Sequence, residues 1–252
     1  DNEYKLEVIQ SVSEKVRLGK MPSLFPELSE VGYKMFDLES RRYIGNKAKL
    51  TRWIMNIINE HTGGFSSFFD VFAGTASVSK AAIPYADKII MNDFLSSNNI
   101  IYQAFFAEGV YDVSKLYSII EYYNSINPDS VKDNYFSDNF GDKFFDYRNS
   151  KLIGYIREDI ERKRYELTPK EYAILLASLI YSIDKIANTV GHFDAYIKKE
   201  IVYHPLSLQL IKPVEPKMVE IHKEDSNVLA RRITADVAYI DPPYDSRQYS
   251  RF

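Results

Sequence analysis

Apolar residues recur along this chain with two periods, and the places where one period gives way to the other mark its elements. Leu50, Trp53, Ile54, Ile57 and Ile58 fall three and four residues apart, the spacing of one helical face. That helix is predicted to open at Arg42-Tyr43-Ile44-Gly45-Asn46-Lys47 and to stop at Gly63-Gly64, where a left-handed residue can end it. The Phe-rich run at 65–72, which contains Asp70, reads as a strand. It leads into Ala73-Gly74-Thr75-Ala76-Ser77 and a helix of small residues through Ala82. Residues 88–91 form a second apolar run, ending at Asn92-Asp93. Far downstream, residues 218–222 alternate like a strand, and Asp225-Ser226-Asn227 can cap a helix running to Arg232. A last run, 237–240, is stopped by Asp241-Pro242-Pro243-Tyr244.

Three of these runs end on an acid, at Asp70, Asp93 and Asp241. That recurrence fits an α/β fold with one parallel sheet, whose carboxyl edge binds ligands. A strand, an acid, a glycine turn and a helix start would admit a ligand close to the backbone at Gly74. Asp93 follows Gly74 by nineteen residues, near the offset at which an acid holds a ribose diol, although a dinucleotide fingerprint has three glycines and this turn has one. At the last run, the Asp241 carboxylate and the Pro242 carbonyl, aimed by the ring of Pro243, place two acceptors side by side. Two acceptors suit an NH2 group, and the Tyr244 ring could lie against a flat heterocycle that carries it. A double proline also ends a strand without any ligand, and both readings stand at the level of these four residues.

Residues 101–213 have a different texture. Aromatic residues are interleaved with Asn and Asp around Pro128, and the apolar stretch 172–183 reads as a buried core helix. This is a mainly helical insertion between two parts of a catalytic domain, 41–100 and 214–252, with residues 1–40 as an irregular lead-in containing Pro22 and Pro26. Its aromatic residues suit base stacking as well as a small core. The polar turn at 188–196 is expected to face a groove, with Lys198 and Lys199 beside a phosphate.

Composition narrows the class. A chain of 252 residues with 45% hydrophobic content can bury a proper core. It has no cysteine, shows no signal-like leader and has no apolar stretch long enough for a membrane, so a cytoplasmic protein is expected. The four histidines lack metal-ligand spacing, so no metal is expected. A net charge of -3 gives no support to nucleic-acid binding by itself. The basic pairs and triplets, Arg41-Arg42, Arg162-Lys163-Arg164, Lys198-Lys199 and Arg231-Arg232, read as solvated faces.

The order of these motifs resembles the adenine-N6-specific DNA methyltransferases of the Dam-like alpha group. It runs from the RYIGNK segment through Asp70-x-Phe72-x-Gly74, an acid after the second strand and an inserted region to DPPY. The string DPPYDSRQYS looks like the methyltransferases that accompany type IIS endonucleases. The resemblance implies a Rossmann-like sheet with S-adenosylmethionine as methyl donor, double-stranded DNA as substrate and a cognate restriction endonuclease in the same system. It implies that Tyr43, Gly45, Asn46 and Lys47 border the cofactor, with Lys47 for its carboxylate. It places Asp70, Phe72, Gly74 and Thr75 along the methionine, Asp93 on the ribose and Asp225 on the cofactor adenine. Asp241, Pro242, Pro243 and Tyr244 would carry the target base, the inserted region would recognise the DNA site, and the base would be flipped from the duplex. A sheet of this family continues beyond DPPY, whereas eight residues follow Tyr244 here, so a truncated C-terminus is expected. RNA-base or protein-glutamine methylation, and a non-catalytic module, are the rival readings. Asp241 favours adenine over them, since glutamine enzymes usually carry Asn there and cytosine-N4 enzymes Ser.

Overall fold

Four short strands lie side by side in the order β3-β2-β1-β4, all parallel: β1 Ser67–Asp70, β2 Lys88–Asn92, β3 Met218–His222 and β4 Val237–Tyr239. The computed structural model describes residues 34–41, 47–189, 196–198, 201–214 and 218–243. Asp70 pairs with Met91 on one side and Tyr239 on the other, so the strands finish together at one edge. Parallel neighbours cannot be joined by a tight turn, and each connection carries helix. Helix α2, Ser77–Ala82, joins β1 to β2, and the chain then leaves the sheet for more than a hundred residues before β3. Because β1 has β2 on one side and β4 on the other, the connections diverge between β1 and β4, which is where such sheets open a crevice at their carboxyl edge.

Alternation along the strands builds two layers of packing. Phe68, Ile89 and Met91 point into the main core, whereas Phe69, Val71 and Ile90 meet Leu229 on the other face. Leu229 belongs to the short helix α8, Ser226–Ala230, which stops two residues before the predicted Arg232. Its capping is as predicted, with Asp225 Oδ1 accepting from the N–H groups of Asn227 and Val228.

Helix α1, Thr51–Thr62, departs from expectation at its start and on its face. Lys47 lies in coil, residues 48–50 form a turn, and the helix begins only at Thr51, whose hydroxyl donates to Ala48 O. Ile54 and Met55 are buried, but Leu50, Trp53 and Ile57 are exposed, Trp53 by 63%. The helix packs against the short helix α2 along a narrow stripe, so residues on the flank of the three-four pattern turn outward while Met55, off the pattern, turns in. The predicted stop holds: Gly63 adopts φ 67° and its N–H donates to Asn59 O.

The segment between β2 and β3 is helical: α3 Ser96–Phe105, α4 Val113–Ser125, α5 Tyr135–Phe140, α6 Tyr147–Arg162 and α7 Pro169–Ile186, then an extended stretch at 201–214. Helix α7 contains the predicted core helix and starts with proline at its first turn behind a Thr168–Glu171 capping box. Its buried Lys170 donates to the carbonyls of Gln103 and Ala107 at the far end of α3, and burial pulls its pKa down to about 8. Since α3 starts at the carboxyl edge of β2, α7 runs back towards that edge.

The Arg162-Lys163-Arg164 cluster sits at the opposite end of α7, where its members pair with Asp159 and Glu161. Of the aromatics, Tyr123 and Phe145 are core residues, and Phe136, Phe140 and Phe144 pack ring on ring. The end of the lead-in joins the same body: Phe36 bridges to Ile211, and Tyr181 donates to Leu38 O. No described helix is long and apolar enough to cross a membrane.

Candidate active site

Asp70 is the last residue of β1 and is 1% exposed. Its Oδ2 accepts from Ser79 Oγ at 2.6 Å, while Oδ1 is buried with no hydrogen-bond partner. Burial, with Asp241 and Asp93 nearby, raises its pKa to about 7 against the opposing Ser79 bond. Beyond it the chain turns sharply, with Gly74 at φ 54° and Ala76 at φ 58°. Tyr102, fully buried on α3, braces this turn by donating to Gly74 O at 2.7 Å, and the hydroxyls of Thr75 and Ser77 meet at 2.9 Å. A cavity of about 40 Å³ is lined by Lys47, Asp70, Phe72, Gly74, Thr75 and Asp241 among others. Six predicted site residues thus line one cavity.

Asp93 stands one step outside that cavity. Its Oδ2 accepts from Gly74 N at 3.0 Å and its Oδ1 from Leu95 N at 2.8 Å, so the acid of β2 and the glycine turn of β1 hold each other. Burial raises its pKa, opposed chiefly by the Leu95 and Gly74 bonds and by the Arg41 charge. Beside it, buried Asn92 was read from sequence only as a strand end. Its Nδ2 donates to Val71 O, Glu224 O and Ser226 Oγ, and its Oδ1 accepts from Glu224 N. One amide thereby knits together the carboxyl ends of β1, β2 and β3. Asn92→Ala is expected to cost roughly 2–4 kcal/mol in urea unfolding, because it strips several net-favourable bonds and leaves buried partners bare; a loss below the scatter of surface mutants would refute that role.

On the other side of β1, Asp241 follows β4, half-buried, and its Oδ2 lies 2.7 Å from Lys47 Nζ. One lysine and two carboxylates, Asp70 and Asp241, thus line the cavity. Pro242 and Pro243 come next and are exposed. Strand β4 has three residues and is held at both ends. At its start, Asp236 Oδ2 accepts from the Ser66 and Ser67 N–H groups and from Ser67 Oγ, which lowers its pKa; beyond the paired residues, Val71 N donates to Tyr239 O.

Other predicted residues fall elsewhere. Asp225 is exposed at the far side of the sheet, beyond β3, with Oδ1 used in capping α8. Tyr43, Gly45, Asn46 and Tyr244 lie outside the described residues, as do Lys199 and most of the 188–196 turn; Lys198 is exposed. Arg41, read as part of a solvated pair, is instead enclosed: its Nη1 donates to Asn98 Oδ1 at 2.7 Å and its Nε lies 3.4 Å from Asp184 Oδ2. Arg42 lies outside the description. Among the described residues no group of three metal-ligating side chains is placed to hold an ion.

This geometry meets an independent finding. Residues 43–252 match the model of the D12 class N6 adenine-specific DNA methyltransferases. The type II methyltransferase M.CviAII of Paramecium bursaria Chlorella virus 1 is 31% identical over 218 residues, 82% of this chain and 65% of that protein. M.NlaIII of Neisseria lactamica is 29% identical over 225 residues, with 82% and 65% covered, and the modification methylase LlaI of Lactococcus lactis subsp. lactis is 29% identical over 232, with 83% and 36% covered. The chain therefore spans just under two thirds of the first and about a third of the last. The match covers both walls of the crevice between β1 and β4, and the chain belongs to the D12 class N6 adenine-specific DNA methyltransferase family.

Proposed function

We propose that this chain is the catalytic part of a site-specific enzyme that methylates adenine N6 in double-stranded DNA. The single observation that carries the proposal is the placement of Asp241 across the β1–β4 crevice from the Asp70–Gly74 turn, which brings an amine grip and a donor pocket to one opening. The buried, orphaned oxygen of Asp70, the excess of two carboxylates over one lysine in the cavity, and Asp93 next to it fit a ligand bearing ammonium and sulfonium charges and a single carboxylate. That is the charge pattern of S-adenosylmethionine, which supplies an electrophilic methyl group when bound. Lys47 would take the carboxylate, the backbone at Phe72, Gly74 and Thr75 would follow the methionine, and Asp93 would accept from the ribose diol. Tyr43, Gly45 and Asn46 would complete that border, and Asp225 would meet the cofactor adenine through the oxygen not used in capping.

On the other wall, Asp241 and the Pro242 carbonyl accept the two N–H bonds of the target amine. Drawing those hydrogens towards them pulls the nitrogen lone pair out of conjugation with the ring and aims it at the methyl group. As the nitrogen–carbon bond formed, the methyl–sulfur bond would break with its electron pair left on sulfur, and the amine would shed one proton to water. Positioning and fixed dipoles suffice for this, and no covalent enzyme intermediate is required. The target base must leave the helix, at a cost of a few kcal/mol, which stacking on Tyr244 offsets. The helical segment between β2 and β3 would read the DNA site, and an endonuclease of the same restriction-modification system would be its counterpart.

Incubation of the full-length protein with labelled S-adenosylmethionine and DNA, RNA or protein tests the whole reading: label should appear in DNA at adenine N6, and label confined to RNA would overturn it. Asp93→Ala is expected to weaken cofactor binding about tenfold or more, the worth of a charge-assisted hydrogen bond. An unchanged dissociation constant by calorimetry would remove the ribose assignment.

A further inference from the structure

The ion pair of Lys47 with Asp241 joins two groups that the proposed reaction needs apart. Their Nζ–Oδ2 distance is 2.7 Å, 20% and 22% of the two side chains are exposed, and both line the cavity beside the glycine turn. That cavity holds about 40 Å³ among the described residues, whereas pockets for cofactor-sized ligands span roughly 300–1,000 Å³. Something on its border must give way to a large ligand, and a side-chain ion pair yields more readily than a strand end or a braced turn. Lys47 is suited to this: it stands in coil, on a long flexible stem with rotatable donors and no acceptor. An ammonium on Asp241 opposes methyl transfer twice over. It donates to an acceptor meant for the target amine, and it sets positive charge beside a nitrogen that turns positive as it takes the methyl group.

We propose that Lys47 is a latch on the base grip: it holds Asp241 until the carboxylate of the bound cofactor draws it away, so the grip opens to adenine only when the methyl donor is in place. This rests on the readings of Lys47 as the cation for that carboxylate and of Asp241 as an acceptor for the target amine. The lysine keeps its proton throughout and trades one carboxylate for another, so its charge is paired before and after the exchange. DNA that arrives before the cofactor meets an occupied grip and is not held by its target base.

The test uses the full-length protein saturated with S-adenosylhomocysteine or with its decarboxylated analogue, which lacks only the carboxylate. Two duplexes carry the methylated site, located by mapping labelled methyl groups, with either adenine or purine at the target; purine lacks the amino group. Fluorescence anisotropy gives the preference for adenine over purine as a ratio of dissociation constants. That ratio should be about tenfold larger with S-adenosylhomocysteine than with the analogue, the worth of a hydrogen bond to a charged acceptor. In Lys47→Gln both ligands should give the larger ratio, within about twofold of each other. A preference that ignores the carboxylate in the unaltered protein, or still requires it in Lys47→Gln, overturns the latch. Calorimetry without DNA gives a second reading: Asp241→Ala should tighten S-adenosylhomocysteine about threefold, the scale of a partly exposed ion pair, and leave the analogue no tighter. Tightening of both ligands or of neither also overturns the proposal. If Asp241→Ala leaves the preference for adenine intact, the grip reading itself fails and the latch fails with it; if that preference falls but never depended on the carboxylate, only the latch is lost.

Discussion

Replacing Asp241 by Ala should abolish methyl transfer to DNA, by a factor on the order of 10²–10³ or more, while cofactor binding stays measurable. Removing one preorganised group aimed at the reacting centre has costs of that size in other enzymes. The separation of effects follows from the site. Asp241 stands on the β4 wall of the crevice, whereas the glycine turn, Asp70 and Asp93 belong to β1 and β2 and keep their own supports in Ser79, Tyr102 and Asn92. Loss of Asp241 also frees Lys47 from its 2.7 Å ion pair, so the variant should bind an anionic ligand group at least as well as before. Rates from labelled methyl transfer and dissociation constants from calorimetry decide the matter, and full activity in the variant would sink the proposed mechanism.

The second large effect concerns Asp70 and the stability of the fold. Its pKa rises from the ordinary 3.8 to about 7, chiefly through burial. Below about pH 4 folded and unfolded chains both carry the proton. Between there and about 7 only the folded chain keeps it, so this residue's contribution to stability is fully present at low pH and is lost as pH rises through 7. At roughly 1.4 kcal/mol per unit, the loss amounts to roughly 4 kcal/mol across that window, a large share of a typical domain's stability. Asp70→Asn retains an acceptor for Ser79 and removes the titration. Urea unfolding at pH 5 and pH 8 should show the variant gaining on the parent as pH rises. Parallel stabilities over that range would disprove the buried-charge argument. The same variant should bind a cationic cofactor less well, a trade of function for stability seen where a site stores an unpaired charge.

How far the sequence could be read depends on the distance over which each signal acts. Strand ends were legible because an apolar run closed by an acid is a local pattern, and β3 was found over the same residues as expected, 218–222. The parallel arrangement followed from three such endings, and the α7 core helix from its unbroken apolar content. The outward turn of Trp53 and Ile57 was not legible: their spacing is that of a buried face, and only the width of the neighbouring layer decides which flank is covered. Arg41 was misread for a similar reason. Its partners Asn98 and Asp184 lie far along the chain, and nothing in an Arg-Arg pair announces that one member will be enclosed. Asn92 was passed over because amide networks have no period at all.

The staple between Asp236 and Ser66-Ser67 spans about 170 residues of chain. Loop closure over such a length is slow, and contacts of that separation form late in folding. The β1–β2 hand of the crevice, with its glycine turn and two acids, can assemble from neighbouring segments, but Asp241 arrives only after the entire helical segment has been laid down. A partly folded chain would thus hold a cofactor pocket without a grip for the base, and is expected to be inert towards DNA until the segment that selects the site is in place.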